Sequence, residues 1–303
     1  MKAEWKGYIG VFIAVLAMSN VYIFSKAALQ ELSLAQFGVY WFGFALLWNL
    51  INLFFSKNFK TLFSTKKKQR LILLKLGLIE IVATTGFFAA IKIMPNPANV
   101  SFLANIGPVY VTFLGFWILK EQLSKYELFG GFLTLLGAFI ISYKPNWDLN
   151  EDFILGLLII VVYTFIFAVG KIISKKHIKD INPSILSINR VVFLFVFSLI
   201  IFFVQDYPFL ISNKALLNTF MGSLLGPFLA ALAGYYAIQF IPASKASLLG
   251  TFKGFLILLI SYLYFGIFPL WYQVIGGVFT VFGVILITIA KQQFNKKKKT
   301  NLN

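Results

Sequence analysis

Glu80 is the only acid set deep within any of the long apolar stretches of this 303-residue chain. An ionisable side chain at such a place is costly unless it faces a cavity or a partner. It lies about ten residues into its stretch, which at the helical rise is roughly 12–15 Å from the start. Lys253 lies about eight residues into another stretch, at a similar depth. The spacing therefore allows a Glu80–Lys253 pair, either holding helix register or belonging to a binding site. As the solitary deep acid, Glu80 suits two tasks, carrying a coupling proton or facing a cationic group on a solute. Arg190, about seven residues into its stretch, joins this set or snorkels toward headgroups. Lys26 and Lys171 come late in their stretches and Lys75 early, and snorkelling accounts for all three. Asn20 and Asn105 offer donors and acceptors to a ligand or to a neighbouring helix. Trp41, Tyr110, Tyr163, Tyr235 and Tyr236 present rings that pack, or stack on a quaternary amine through cation–π contact. Pro108 and Pro227, each preceded by glycine, mark kinks where gating helices would bend.

The elements that must hold these residues are membrane spans. Hydrophobic residues make up 59% of the chain and charged ones 12%, with a mean hydropathy of +0.85. A span needs about 20 mostly apolar residues, and such runs recur at 7–28, 35–55, 71–91, 98–119, 128–143, 153–174, 184–204, 215–239, 246–266 and 271–290. With these spans, 19 Lys and Arg fall on one side, in both termini, the loop 56–70 and other short loops. Only Lys26, Lys92, Lys144 and Lys214 fall on the other, where Asp148, Glu151, Asp152 and Asp206 also lie. Basic residues stay in the cytoplasm, so both ends are expected inside. The first run is longer than a signal peptide core and no small-residue cleavage site follows it, so it is read as a retained span. The tail Lys296–Asn303 is read as a disordered, solvated end attracted to lipid headgroups.

Several classes of chemistry fall away. There is no cysteine, hence no disulfide, thiolate metal site or thiol nucleophile. The four Asp lie in loops, and the single histidine, His177, sits in a basic cytoplasmic stretch, so paired acids and metal clusters of an enzyme are missing. No cofactor or metal is called for. The formal charge of +17 is scattered over loops and makes no continuous basic face for nucleic acid. A sensor that binds solute without moving it would share the same cavity, but would be expected to carry a soluble domain. No GxxxxGK[ST] loop is present, so any transport would be secondary, driven by a gradient or by exchange.

The two halves repeat one another. GGFLTLLG carries Gly130, Gly131 and Gly137, and GGVFTVFG carries Gly276, Gly277 and Gly283, at a constant offset of 146. Met94-Pro95 matches Ile241-Pro242 at an offset of 147, and Lys26 after Ser25 parallels Lys171 after Gly170. Five spans per half is odd, so the second half must enter the membrane inverted, with a pseudo-two-fold axis in the membrane plane. The expected fold is all-α and integral to the membrane: ten transmembrane helices as two inverted five-helix repeats, 1–148 and 149–290, then a basic cytoplasmic tail, 291–303. The glycine pairs of the fifth and tenth spans read as close-packing faces. That leaves spans one to four and six to nine around a cavity.

Residues 107–141, GPVYVTFLGFWILKEQLSKYELFGGFLTLLGAFII, resemble the signature of EamA-type members of the drug/metabolite transporter superfamily. Pro108 enters the fourth helix, Glu121 stands at its cytoplasmic end, and Gly130 and Gly137 follow in the fifth. AMSNVYIFSKAAL in the first helix extends the likeness. An Arg usual early in the second helix is Trp41 here, though its repeat counterpart is Arg190. The ninth helix reads Lys253-Gly254 where the family often has Glu-Pro, and no acid follows at Ile267 or Phe268. The resemblance implies a carrier of amino acids or related small metabolites in a bacterial cytoplasmic membrane, working by alternating access as a monomer or homodimer. Protons are the candidate coupling ion, and an organic cation such as a quaternary amine is the alternative solute.

Overall fold

The computed structural model describes residues 3–55, 65–94, 100–101, 103–142, 151–256 and 270–300. Pro95, Ile267 and Phe268, and the chain midpoint near residue 148, lie outside the described residues. The helices, in chain order, are α1 (Ala3–Leu29), α2 (Leu34–Phe55), α3 (Lys67–Ile93), α4 (Ile106–Leu119), α5 (Lys125–Ser142), α6 (Glu151–His177), α7 (Pro183–Val204), α8 (Asn213–Phe240), α9 (Ala243–Leu249) and α10 (Trp271–Thr300). Among the described residues, six helices, α1–α3 and α6–α8, are long and apolar enough to cross a membrane. The outer surface of the bundle is apolar: Phe54, Phe55, Trp117 and Val278 are exposed. Helices that satisfy their own backbone while turning such side chains outward suit a lipid solvent, where unpaired peptide groups are costly.

Side chains fix where the helices begin. Ser33 and Gln36 bond each other's backbone N–H at the head of α2, and Ser124 and Glu127 do the same before α5. Asn182 accepts from the Ser184 N–H at the head of α7, with Pro183 in the first turn where its missing N–H is harmless. Ser212 caps α8 by accepting from the Ala215 N–H at 3.0 Å.

Lysines fix two of the ends. The Lys26 ammonium, at the end of α1, donates to the carbonyls of Ile91 at 2.9 Å and Met94 at 2.8 Å, at the C-terminal end of α3 where helix carbonyls lack intrahelical partners. The Lys175 ammonium, near the end of α6, donates to Ile238 at 2.6 Å and Ile241 at 2.8 Å, the end of α8. Ile91 and Met94 correspond to Ile238 and Ile241 at an offset of 147, so Lys175 is the structural counterpart of Lys26. The sequence pairing of Lys26 with Lys171 is thereby corrected. Lys26 is held by helix carbonyls, a task its snorkelling assignment missed.

The fourth and ninth runs are both broken. Pro108 has no N–H for the Ala104 carbonyl, which accepts instead from the Gly107 N–H at 3.0 Å, and the chain turns at Ala104–Asn105. At the matching place α9 gives way to a tighter 3₁₀ turn, Gly250–Phe252. Pro227 produces a third irregularity, a π-helical stretch, Leu224–Ala230, within α8.

α5 and α10 pack on each other through glycines. A Cβ on Gly130 would lie 2.8 Å from the Gly283 carbonyl oxygen, and one on Gly137 would overlap the Gly276 carbonyl. Gly130 thus meets the repeat counterpart of Gly137, and Gly137 meets that of Gly130. Such reciprocity is the mark of a two-fold contact between antiparallel helices.

Candidate functional site

Glu80 projects from the middle of α3 and is 9% exposed. Its Oε2 lies 2.7 Å from Arg190 Nε of α7, forming an ion pair. Thr84, one turn along α3, donates to the same oxygen at 3.0 Å and accepts from Arg190 Nη2 at 3.1 Å. The Tyr235 hydroxyl of α8 donates to Glu80 Oε1 at 3.3 Å. α7 can come this close because Gly77 lies one turn before Glu80: a Cβ there would overlap the Phe193 ring. The pairing of Glu80 with Lys253 that the depths allow is corrected, since Arg190 takes the carboxylate. The Lys253 ammonium sits 5.8 Å over the Tyr22 ring.

This cluster lines a cavity of about 380 Å³. Its walls come from α1, α2, α3, α4, α6, α7, α8 and α9, with no described residue of α5 or α10. Trp41, Glu80, Asn105, Pro108, Tyr163, Arg190, Pro227, Tyr235 and Lys253 all face it. Asn20, Tyr110 and Tyr236 do not. Asn20 spends its amide on the Leu16 carbonyl at 3.1 Å, one turn back in its own helix. Tyr110 packs edge-on against Phe165, with ring centroids 5.5 Å apart. Tyr236 turns outward and packs on Phe240, with centroids 5.0 Å apart.

Lys171 does line the cavity, so its assignment as a snorkelling residue is corrected. The signal is in the sequence: Lys175, Lys176 and His177 already form the basic last turn of α6, and Lys171 stands a further turn, about 6 Å, before Lys175. Ser247, Thr164 and the rings of Tyr22, Phe87 and Phe88 complete a lining in which polar groups are few and the aromatic surface is large.

Three residues that line the cavity each carry a buried polar atom with no hydrogen-bond partner among the described residues: Trp41 Nε1, Asn105 Oδ1 and the Tyr163 hydroxyl. Trp41 is fully buried. It stands eight residues past its capping Ser33, as Arg190 stands eight past Asn182. Its indole packs against Gly222 and Gly226 of α8, where a Cβ on Gly222 would overlap the ring. Pro227 holds the place of Glu80 at the offset of 147. The ion pair that joins the halves at Glu80 and Arg190 is therefore matched, at the repeat-equivalent positions, by an indole against a glycine–proline bend.

Glu121 does structural work. Lys120, in the left-handed conformation at φ 55°, turns the chain after α4. The Glu121 carboxylate then accepts from the Ala243 N–H at 2.8 Å and the Ser244 N–H at 3.0 Å, capping α9. Beside it the Lys245 ammonium lies 2.7 Å from Glu127, an ion pair nearly closed off from the surroundings.

Membrane-length helices around a cavity with a few convergent polar groups define a multi-pass membrane protein of the transporter class. The chain belongs to the EamA-like transporter family, whose sequence pattern matches it twice, over residues 5–143 and 154–289. That family is part of the drug/metabolite transporter superfamily. The chain is 22% identical to the uncharacterized transporter YyaM of Bacillus subtilis, over 97% of this chain and 99% of that one. It is 24% identical to the uncharacterized transporter sll1164 of a Synechocystis species, over 78% of this chain and 70% of that one. A solved crystal structure shares the fold with a TM-score of 0.77 at 14% identity, over 95% of this chain and 98% of that one.

Proposed function

We propose that this protein is a secondary transporter that moves a small polar metabolite, an amino acid or related solute, by alternating access. It works as ten helices in two inverted five-helix repeats, 1–148 and 149–290, with both ends and the basic tail 291–303 on the cytoplasmic side of a bacterial cytoplasmic membrane. The observation that carries this reading is the cavity itself. It takes lining from both halves of the chain, while the glycine-packed α5 and α10 stand outside it.

Three further features support inversion: the matched lysine caps from Lys26 and Lys175, the breaks at equivalent places before α4 and after α9, and the reciprocal glycine contacts. Two inverted halves around one site exchange conformations, and the exchange turns the site from one face of the membrane to the other. Broken helices beside a cavity free backbone groups for a solute without exposing them to lipid. Protonation of Glu80 would release Arg190, which gives proton coupling a residue-level route. Exchange of solutes is the other drive, and the working unit is a monomer or a homodimer.

Purified protein in liposomes tests the reading with radiolabelled solutes from an amino-acid and organic-acid panel. Saturable uptake with counterflow is expected. Unsaturable flux would make the protein a channel, and binding without flux would make it a sensor. The aromatic lining favours a second reading, an organic cation held by ring faces. The ring of Tyr22, however, already faces the Lys253 ammonium.

A further inference from the structure

The cavity holds more positive charge than it neutralises. One lining carboxylate, Glu80, faces three lining cations, Arg190, Lys171 and Lys253. Arg190 takes Glu80. Neither Lys171 nor Lys253 has a carboxylate within ion-pairing distance among the described residues. Glu121 and Lys253 both act electrostatically on Lys171. Both Glu121 oxygens are already bonded at the head of α9. Lys171 and Lys253 are half-buried against mostly apolar walls, where an anion placed beside an ammonium without a counter-charge is favoured.

Trp41, Tyr163 and Asn105 line the same space, each at least nine-tenths buried, and their indole N–H, hydroxyl and side-chain carbonyl have no hydrogen-bond partner among the described residues. Groups of this kind stay unsatisfied only where something else supplies their partners. The aromatic walls call for an apolar body.

Building on the proposed transport function, we propose that Lys171 and Lys253 form an anion subsite, and that the carried solute is an organic carboxylate of net negative charge with an apolar body. Its carboxylate lies between the two ammonium groups, and its remaining polar atoms meet Trp41, Tyr163 and Asn105. A monovalent organic cation is disfavoured, because the one lining carboxylate is taken.

The test is equilibrium binding, read as thermal stabilisation of the full chain in phosphatidylcholine nanodiscs. Three probes share one body and differ in charge: phenylpyruvate, phenylalanine and phenethylamine. Inorganic phosphate forms a fourth arm and nanodiscs containing phosphatidylglycerol a fifth. Phenylpyruvate should bind at least tenfold more tightly than phenylalanine, with phenethylamine giving no shift. Lys171→Gln and Lys253→Gln should each weaken phenylpyruvate tenfold or more, and Lys171→Arg and Lys253→Arg should retain it, which separates charge from folding.

No shift with phenylpyruvate, a shift unchanged in the Gln variants, or a preference for phenethylamine would overturn the subsite. Binding of phosphate alone would overturn the carboxylate assignment. A lysine-dependent shift from phosphatidylglycerol alone would assign the anion to lipid and overturn the solute. Because binding requires no flux, the probe ranking with no counterflow contradicts only the transport reading. Counterflow of phenethylamine without phenylpyruvate binding contradicts only the subsite.

Discussion

The guanidinium of Arg190 meets the carboxylate of Glu80 at 2.7 Å, joining a helix of the second half of the chain to one of the first. Thr84 and Tyr235 add hydrogen bonds to that carboxylate. Removing one member of a buried pair strands the other, at about 3–5 kcal/mol. Glu80→Gln should therefore lower the melting temperature and abolish or slow flux. The Glu80→Gln/Arg190→Gln double variant should be less destabilised than the sum of the singles, which a double-mutant cycle checks. Transport by Glu80→Gln that kept the wild-type rate and pH dependence would remove Glu80 from the mechanism.

The pair between Lys245 and Glu127 differs in purpose. Lys245 is 1% exposed and belongs to α9, while Glu127 opens α5, which stands outside the cavity. Glu127→Gln should cost about 3 kcal/mol or more, because the ammonium then has no counter-charge. Glu127→Gln/Lys245→Met should recover most of that. Chemical denaturation in detergent measures both, and recovery in the double variant identifies the pair as a tether of α9 to the scaffold.

Lys175 offers a local readout. Its ammonium bonds the last carbonyls of α8, and charge-assisted bonds of this kind contribute about 1.5–3 kcal/mol each. Lys175→Met should speed amide hydrogen exchange over residues 236–241 before it affects the rest of α8. The parallel variant Lys26→Met should do the same at residues 90–94, the end of α3.

The glycine contacts predict a difference within one residue type. Gly283→Leu forces a side chain into the Gly130 carbonyl and Thr134, so it should lower the yield of folded protein sharply. Gly254 is helical, and no atom of the described residues lies within 4 Å of where its Cβ would stand. Gly254→Ala should therefore stabilise by about 0.5–1 kcal/mol through helix propensity. Size-exclusion profiles and melting temperatures compare the two.

Much of the scaffold is legible in the chain itself. Six of the apolar runs are membrane-length helices, because burial in lipid leaves a run length that composition records directly. The paired glycines are legible too, as side-chain absence is visible in sequence. Charge pairing is not. Glu80 and Lys253 share a depth, but depth says nothing of the direction in which a side chain leaves its helix. Arg190 wins because it faces α3 across the narrow contact at Gly77. Lys171 resembles a snorkelling residue by its place near the end of α6, although the lysines after it already form the basic last turn. Lys175 is hard to recognise as the counterpart of Lys26 because the repeat slips by a few residues in its first helices.

The central claim, that the cavity opens in turn to both faces of the membrane, is best tested by labelling, for which the cysteine-free chain is a ready background. Ala230 lines the cavity and Ala138 is buried in α5. With single variants Ala230→Cys and Ala138→Cys in oriented vesicles, a membrane-impermeant thiol reagent is applied from each side. Ala230→Cys should react from both faces and Ala138→Cys from neither. Reaction of Ala230→Cys from one face alone, under every solute and pH gradient applied, would make the cavity a blind pocket and contradict it.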